Sequence, residues 1–215
     1  MGQSNNQNID VYGRDAGKLS QSYNAVTTDA ILPKFTARVE ALCRAKGGAQ
    51  GLSALDIGCG TGRDASWLAA QGFQVAACDG AAGMIAAAQQ GNAHAQIDYF
   101  VDTAPELTAT LARGQRYDVI LMNAFIFHFD YRGKDNALSQ LFDHVVTLGQ
   151  PDALIYTNLR HGPIPAGRQM FDIPADVVAD HAKARGLIYE DLGRSADGLG
   201  RADVSWTDIV LRFPS

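Results

Sequence analysis

The stretch Leu55-Asp56-Ile57-Gly58-Cys59-Gly60-Thr61-Gly62-Arg63-Asp64 decides the fold of this chain. It continues an apolar run that begins at Leu52, and it leads directly into a helical pattern over residues 64–70. A second β-like run, residues 73–78, then ends in Asp79. The order strand, glycine loop, helix, strand and acid is the layout of a nucleoside cofactor site at the carboxyl edge of a parallel sheet.

The residue types in this stretch suit such a site. Glycines let the backbone turn sharply and leave no Cβ between the loop and a ligand. The helix N-terminus beyond them offers unpaired N–H groups to an electron-rich ligand. Asp79 lies 79 − 58 = 21 residues after Gly58, close to the ~20 expected for an acid that binds both ribose hydroxyls.

The loop reads G-x-G-x-G with an acid two places before the first glycine, whereas a dinucleotide fingerprint reads G-x-G-x-x-G. A nicotinamide-dependent oxidoreductase is therefore disfavoured by the spacing. The pattern resembles motif I of the class I S-adenosylmethionine (SAM)-dependent methyltransferases, which commonly read (D/E)-x-G-x-G-x-G. The resemblance covers about residues 50–160. It implies a Rossmann-like methyltransferase of the small-molecule type, with SAM as cofactor and S-adenosylhomocysteine (SAH) as product.

The alternation of patterns predicts a single α/β domain over residues 49–215. Strands are expected near 52–57, 73–78, 96–100, 117–122, 153–159, 187–192 and 204–213, and helices near 62–71, 81–90, 104–113, 134–149 and 174–185. The last two strands have no room for a helix between them, so they should form an antiparallel hairpin across 193–203. The resemblance implies a seven-stranded, mostly parallel sheet with an antiparallel last strand and helices on both faces. Residues 1–8 are expected to be disordered, and 9–48 to form a helical lid that is interrupted near 13–17 and at Pro33.

The composition and charge of the chain disfavour several classes of function. The net charge of −5 over 215 residues lacks the basic footprint of a nucleic-acid binder. No apolar stretch approaches the ~20 residues of a membrane span, and three widely spaced cysteines favour the reducing cytoplasm. The segment after the fourth strand lacks the (N/D/S)-P-P-(Y/F) motif of DNA amino-methyltransferases, so DNA is not the expected partner.

The resemblance assigns cofactor roles residue by residue. The glycine loop and its acid would pack on the methionine part of SAM, Asp79 would bind the ribose, and Asp102 would reach the adenine amino group. The full set is Asp56, Gly58, Cys59, Gly60, Asp79, Gly80, Met84, Asp102, Thr103 and Asn123. Met84 is equally a helix-core residue, Asp102 equally a helix N-cap, and Asp64 either complements the helix dipole or lies near the cofactor amine. No metal ion is expected.

The residues that would act on a methyl acceptor are open to more than one interpretation. His128 is the candidate base, because the resemblance places it near the transferred methyl and imidazole titrates near 6.5; packing against Phe127 and Phe129 is the alternative. His161 is a second candidate, or an exposed loop histidine. The candidate substrate contacts are Tyr12, Tyr23, Phe127, Arg160 and Arg168, with the two arginines suited to a carboxylate or phosphate.

The sequence thus predicts in-line methyl transfer from SAM to an O, N or S atom of a small molecule. The alternatives are an RNA or protein methyltransferase, which needs a local basic face, and a SAM-binding module without catalysis. Neither the acceptor nor the oligomeric state follows from the sequence.

Overall fold

The computed structural model of the protein describes residues 3–133 and 136–214. Its strands are β1 (Ser53–Ile57), β2 (Gln74–Asp79), β3 (Ile97–Val101), β4 (Tyr117–Met122), β5 (Gly149–His161), β6 (Ile188–Ala196) and β7 (Ser205–Arg212). Its helices are α1 (Gln3–Tyr23), α2 (Thr28–Ile31), α3 (Pro33–Lys46), α4 (Arg63–Gln71), α5 (Ala82–Gly91), α6 (Thr108–Ala112), α7 (Ala137–Leu148) and α8 (Ala175–Ala184). A 3₁₀ turn, Ile126–His128, follows β4.

The described strands form one sheet in the order β3-β2-β1-β4-β5-β7-β6. The first five strands pair in parallel, whereas β7 runs antiparallel to both β5 and β6. The predicted seven-stranded sheet with a reversed last strand is therefore confirmed, as is the hairpin of the last two strands. This topology brings the loops after β1, β2 and β4 to one edge of the sheet.

The sheet is covered on both faces, and its central strand shows why. Ile120 and Met122 of β4 belong to one hydrophobic core, together with α7 and α8. Val119 and Leu121 belong to the other, together with α3 and α4. Since successive side chains of a strand point to opposite faces, a strand buried on both faces reads as a continuous apolar run.

Three element boundaries differ from the sequence expectation. β5 already begins at Gly149, which pairs with Tyr117 of β4, and β6 continues to Ala196, which pairs with Ser205. The hairpin loop is consequently shorter than 193–203. α6 is limited to Thr108–Ala112, because Leu107 before it adopts the left-handed conformation, which does not continue a right-handed helix. The helix expected over 134–149 is α7, and residues 134 and 135 lie outside the described part of the chain.

The N-terminal helix α1 is continuous through residues 13–17, where the sequence predicted a break. A Cβ added at Gly83 of α5 would lie 2.4 Å from the carbonyl oxygen of Gly13, so the two helices approach backbone to backbone. Glycine here permits close packing rather than ending the helix. α1 also includes residues 3–8, which were expected to be disordered, while residues 1 and 2 are outside the described range.

The helices of the N-terminal segment have different positions: α3 lies in the core, and α1 lies on the surface of the domain. Phe35 and Val39 of α3 are fully buried beneath the sheet, so this helix is part of the main core. α1 instead packs on α5 and extends along the carboxyl edge of the sheet. Of the helices in the described ranges, none combines the length and apolar character needed to cross a membrane.

Candidate active site

A cavity lies at the carboxyl edge of the sheet, where β1, β2 and β4 end. The loops after these strands line it, together with α1, the segment after β5 and the β6–β7 hairpin. It contains about 1560 Å³ of empty space, its open mouth included. Every predicted cofactor and substrate residue lines this cavity, and so does His128; His161 does not.

The glycine loop is fixed to the neighbouring strand by its backbone. The N–H groups of Gly58 and Cys59 both donate to the carbonyl of Cys78, at 2.8 and 2.9 Å. A Cβ at Gly58 would lie 2.2 Å from the ring of Phe125, whereas one at Gly60 would meet no atom within 4 Å. Gly58 is therefore required by packing inside the protein, and Gly60 leaves open space on the cavity side of the loop.

Asp79 ends β2 with its carboxylate against the same loop. Its oxygens accept hydrogen bonds from the backbone N–H groups of Gly60 at 3.0 Å and Ala81 at 2.8 Å. Burial raises the pKa of Asp79, and these two donors act against that rise. A carboxylate has about four acceptor positions, so two remain for a pair of ligand hydroxyls.

Two further acids beside the loop, Asp64 and Asp56, have pKa values that are shifted in opposite directions. Asp64 accepts hydrogen bonds from Thr28 at 2.8 Å, from Arg63 at 2.8 and 2.9 Å, and from Asn123 at 2.9 Å. Burial alone would raise the pKa of Asp64, but the Arg63 charge and these donors lower it. Burial, and then the charge of Asp64, raise the pKa of Asp56 well above its usual range. The buried Oδ2 of Asp56 has no hydrogen-bond partner among the described residues.

The residues predicted to contact adenine, Asp102 and Met84, make contacts inside the protein and also line the cavity. Asp102 accepts from the N–H of Thr103 at 3.0 Å, and from the N–H and hydroxyl of Thr110, both at 2.7 Å. Its carboxylate thus binds an N–H of the first turn of α6 from outside the helix, whereas the N-cap position expected for Asp102 is occupied by Leu107. Met84 is 1% exposed and packs against α1, yet it also lines the cavity.

His128 follows β4 and contacts the N-terminal helix. Its Nδ1 lies 3.2 Å from both the carbonyl oxygen of Gln169 and Nδ2 of Asn8, and its Nε2 lies 3.4 Å from the hydroxyl of Tyr12. A proton assigned to Nδ1 fits the Gln169 carbonyl and leaves Nε2 as an acceptor. Burial lowers the pKa of His128 to about 4, so the imidazole is neutral at pH 7.

Tyr12 connects His128 to the cationic side of the cavity. Its ring meets the imidazole edge-on, with 5.6 Å between centroids, and the guanidinium carbon of Arg168 lies 4.5 Å from its ring centroid. Burial, with a contribution from Tyr23, raises the pKa of Tyr12 to about 12. The phenol is consequently protonated at neutral pH and can donate to Nε2 of His128.

The β6–β7 hairpin contributes an ion pair that the sequence did not identify. Arg201 contacts Asp197 at 2.6 Å, and the indole N–H of Trp206 donates to the same carboxylate at 3.1 Å. Trp206 of β7 is partly buried against the hydrophobic core and also lines the cavity. Asn8 was also missed, because a polar N-terminal segment carries no periodic signal.

His161 lies away from the cavity, so the structure does not bring this candidate base to the site. The reason is the length of β5, which includes His161 at its end. Neighbouring side chains of a strand point to opposite faces, and here Arg160 lines the cavity while Nε2 of His161 lies 2.8 Å from the hydroxyl of Thr207.

A family model described as "Methyltransferase domain" matches residues 54–149. This match spans β1 to the start of β5, including the glycine loop, Asp79 and His128. The chain therefore contains a methyltransferase domain of the class I fold. No protein of curated function matches the sequence.

Solved structures with the same fold are only distantly related in sequence. Magnesium protoporphyrin IX methyltransferase from Synechocystis PCC 6803, with bound SAM, is 20% identical with a TM-score of 0.60, over 83% of this chain and 78% of that one. The DhpI–SAH complex is 15% identical with a TM-score of 0.61, over 100% of both chains. The [4+2]-cyclase SpnF is 14% identical with a TM-score of 0.57, over 77% and 76%. These similarities establish the fold; since a protein named for a cyclisation shares it, the reaction must be argued from the site.

Proposed function

We propose that this methyltransferase domain binds SAM and transfers its methyl group to an O, N or S atom of a small molecule. The observation that carries the proposal is the composition of the cavity. The glycine loop and Asp79 line it together with His128 and Tyr12, and Tyr12 lies near enough to Asp79 for that charge to raise its pKa. A donor and an acceptor can therefore meet in one cavity.

The residues at the loop end fit the cofactor. Gly60 leaves room beside its backbone for a ligand, and Asp79 retains acceptor positions suited to two ribose hydroxyls. Met84 offers an apolar contact for a purine ring. Asp56 also lines the cavity, and a cationic amine bound nearby would favour its ionised form, which burial disfavours.

When bound, SAM supplies a methyl group that its sulfonium already makes electrophilic. The protein then has to hold the acceptor atom about 3 Å away and in line, which is catalysis by proximity and orientation. Where the acceptor carries a proton, His128 is the candidate to receive it at Nε2, in place of the Tyr12 hydroxyl. Its pKa of about 4 makes it a weak base, so alignment of the acceptor supplies most of the catalysis. Tyr12 and Asn8 orient the imidazole, and α1, which lines the cavity, is the lid that restricts water.

A small-molecule acceptor is favoured over a macromolecule by the enclosure of the site. Tyr12 and Tyr23 of α1 and Leu199 of the hairpin line the cavity, and the chain carries a net charge of −5. An RNA or protein acceptor would need an open, basic approach to the methyl group. The three cysteines of the described structure are free thiols, in keeping with a cytoplasmic location.

The test is incubation of the protein with methyl-labelled SAM and a host-cell extract, followed by separation into small-molecule, protein and nucleic-acid fractions. Label in the small-molecule fraction supports the proposal, and at a SAM concentration below saturation it should be strongly reduced for Asp79→Asn. An exposed-site variant such as Asp29→Asn is the matched control and should transfer label like the wild type. Label in a macromolecular fraction would overturn the substrate class, while SAM binding without transfer to any fraction would favour a non-catalytic module.

A further inference from the structure

We infer that the methyl acceptor is a small organic anion, and that Arg160 and Arg168 hold its carboxylate or phosphate group. This inference rests on the proposed function, because it names the substrate class of the same cavity. It also assigns the cavity two chemically different ends. The loop end binds a cationic methyl donor, and the end formed by β5, its following loop and the hairpin binds an anionic acceptor.

Arg160 is the strongest observation. It is only 9% exposed and lines the cavity, yet it forms no ion pair with any carboxylate in the described part of the chain. Its Nη1 and Nη2 donate to the carbonyls of Gly162 and Pro163 at 3.1 and 2.8 Å. These bonds fix the guanidinium and leave part of its five-donor fork free. A buried cation without an anion is costly, and an anionic ligand would remove that cost.

Arg168 is a second cation without a carboxylate partner among the described residues. The described contact of its guanidinium is with the face of Tyr12, 4.5 Å from the ring centroid. This stacking holds the group beside the cavity while its N–H edge stays available. Since Tyr12 also contacts His128, an anion held by Arg168 would place the rest of the acceptor near the candidate base.

The distribution of charge supports the same division. At the loop end Asp64 is paired with Arg63, and burial raises the pKa of Asp56, which leaves Asp79 as the lining acid there without a cationic partner among the described residues. At the opposite end the carboxylate of Asp197 is already paired with Arg201, which makes that pair neutral. Arg160 and Arg168 therefore give this end an excess of positive charge. Burial, and then the charge of Arg201, lower the pKa of Arg160, and the charge of Asp197 acts against them.

The main competing role for these arginines is to hold the carboxylate of SAM itself. The two roles differ in what a substitution changes. If the arginines bind the acceptor, their removal weakens acceptor binding and leaves SAH affinity intact. If they bind the cofactor, SAH affinity falls instead.

The experiment uses calorimetric titration of SAH-saturated protein, at fixed ionic strength, with inorganic phosphate, benzoate and neutral benzyl alcohol as probes. The variants are R160Q and R168Q, with R194Q as control. Arg194 is an exposed arginine of β6 outside the cavity. Thermal unfolding shows which variants remain folded, and R168Q serves if the buried Arg160 tolerates no change. Paired acceptors that differ only in a carboxylate, phosphate or neutral group are then compared by kcat/KM with labelled SAM.

We expect phosphate or benzoate, but not benzyl alcohol, to bind the wild type saturably, and the better probe identifies the group. R160Q and R168Q should weaken that binding roughly ten- to hundredfold, as for the loss of charged hydrogen bonds, with SAH affinity within about twofold of wild type. R194Q should behave like the wild type. Absence of saturable anion binding, or a loss of SAH affinity in its place, overturns the inference. If the wild type binds no SAH, the proposed function fails, and the same titration without SAH still tests the anion site.

Discussion

The neutral, buried His128 makes the stability of this protein depend on pH in a way that one substitution should remove. An unperturbed histidine titrates near 6.5, whereas burial lowers the pKa of His128 to about 4. Between these values the unfolded chain binds a proton that the folded protein does not. Stability contributed by the neutral imidazole is therefore complete above pH 6.5 and is lost as the pH falls toward 4.

The magnitude follows from the two pKa values. At pH 5, proton binding to this imidazole favours the unfolded state over the folded state by a factor of about 30. This factor lowers the free energy of unfolding by about 2 kcal/mol. The raised pKa values of Asp56 and Asp79 act in the opposite direction, because protonation of these buried carboxylates favours the folded state at low pH. Both acids are present in wild type and variant, so their effect cancels in the difference between the two.

The assay is urea unfolding of wild type and His128→Gln at pH 5, 6, 7 and 8. Glutamine keeps a donor and an acceptor for Asn8 and Gln169 but does not titrate. Any loss of packing therefore lowers the free energy of unfolding by the same amount at every pH. The wild-type advantage should shrink by about 2 kcal/mol from pH 8 to pH 5. His94→Gln, at an exposed position, is the control and should leave the wild-type profile unchanged. A pH-independent difference between wild type and His128→Gln would refute the assignment of His128 as a buried neutral base.

Four further substitutions test the cofactor and acceptor ends of the cavity. Asp79→Asn should weaken SAM binding about 10- to 100-fold, since a charged hydrogen bond contributes about 1.5–3 kcal/mol; unchanged affinity by calorimetry would exclude Asp79 from the site. Gly60→Ala should cost about 1–2 kcal/mol of stability for its positive φ and abolish SAH-induced thermal stabilisation. Gly58→Ala should be less stable than Gly60→Ala even without ligand, because its Cβ would clash with Phe125; equal melting temperatures would contradict this. Tyr12→Phe should lower kcat with SAH affinity unchanged, because it removes the hydroxyl 3.4 Å from His128; an unaltered kcat would show that this contact does not position the imidazole.

The sequence predicted the parts of the fold that local patterns encode. β4 begins and ends where its apolar run does, because burial on both faces leaves no polar residue except Asp118 in it. The break expected in α1 was wrong because a glycine at a helix crossing and a glycine at a helix end look the same in sequence. Only the approach of Gly83 to the Gly13 carbonyl distinguishes them, and that contact is between residues far apart in the chain.

The site has one part built from residues close together in the sequence and another built from residues far apart in it. Its cofactor end is built from residues 55–64 and 79–84, so a short motif and one spacing were sufficient to locate it. The acceptor end combines residues from α1, the turn after β4, the loop after β5 and the hairpin, and no local pattern joins Asn8 to Gln169 or Arg168 to Tyr12. Because the two ends share few residues, acceptor-end substitutions can change substrate choice while the cofactor site stays intact. An exchange of Arg168 for a neutral residue should accordingly shift preference toward uncharged acceptors without a loss of SAM affinity, and a parallel loss of both would show that the two ends are not independent.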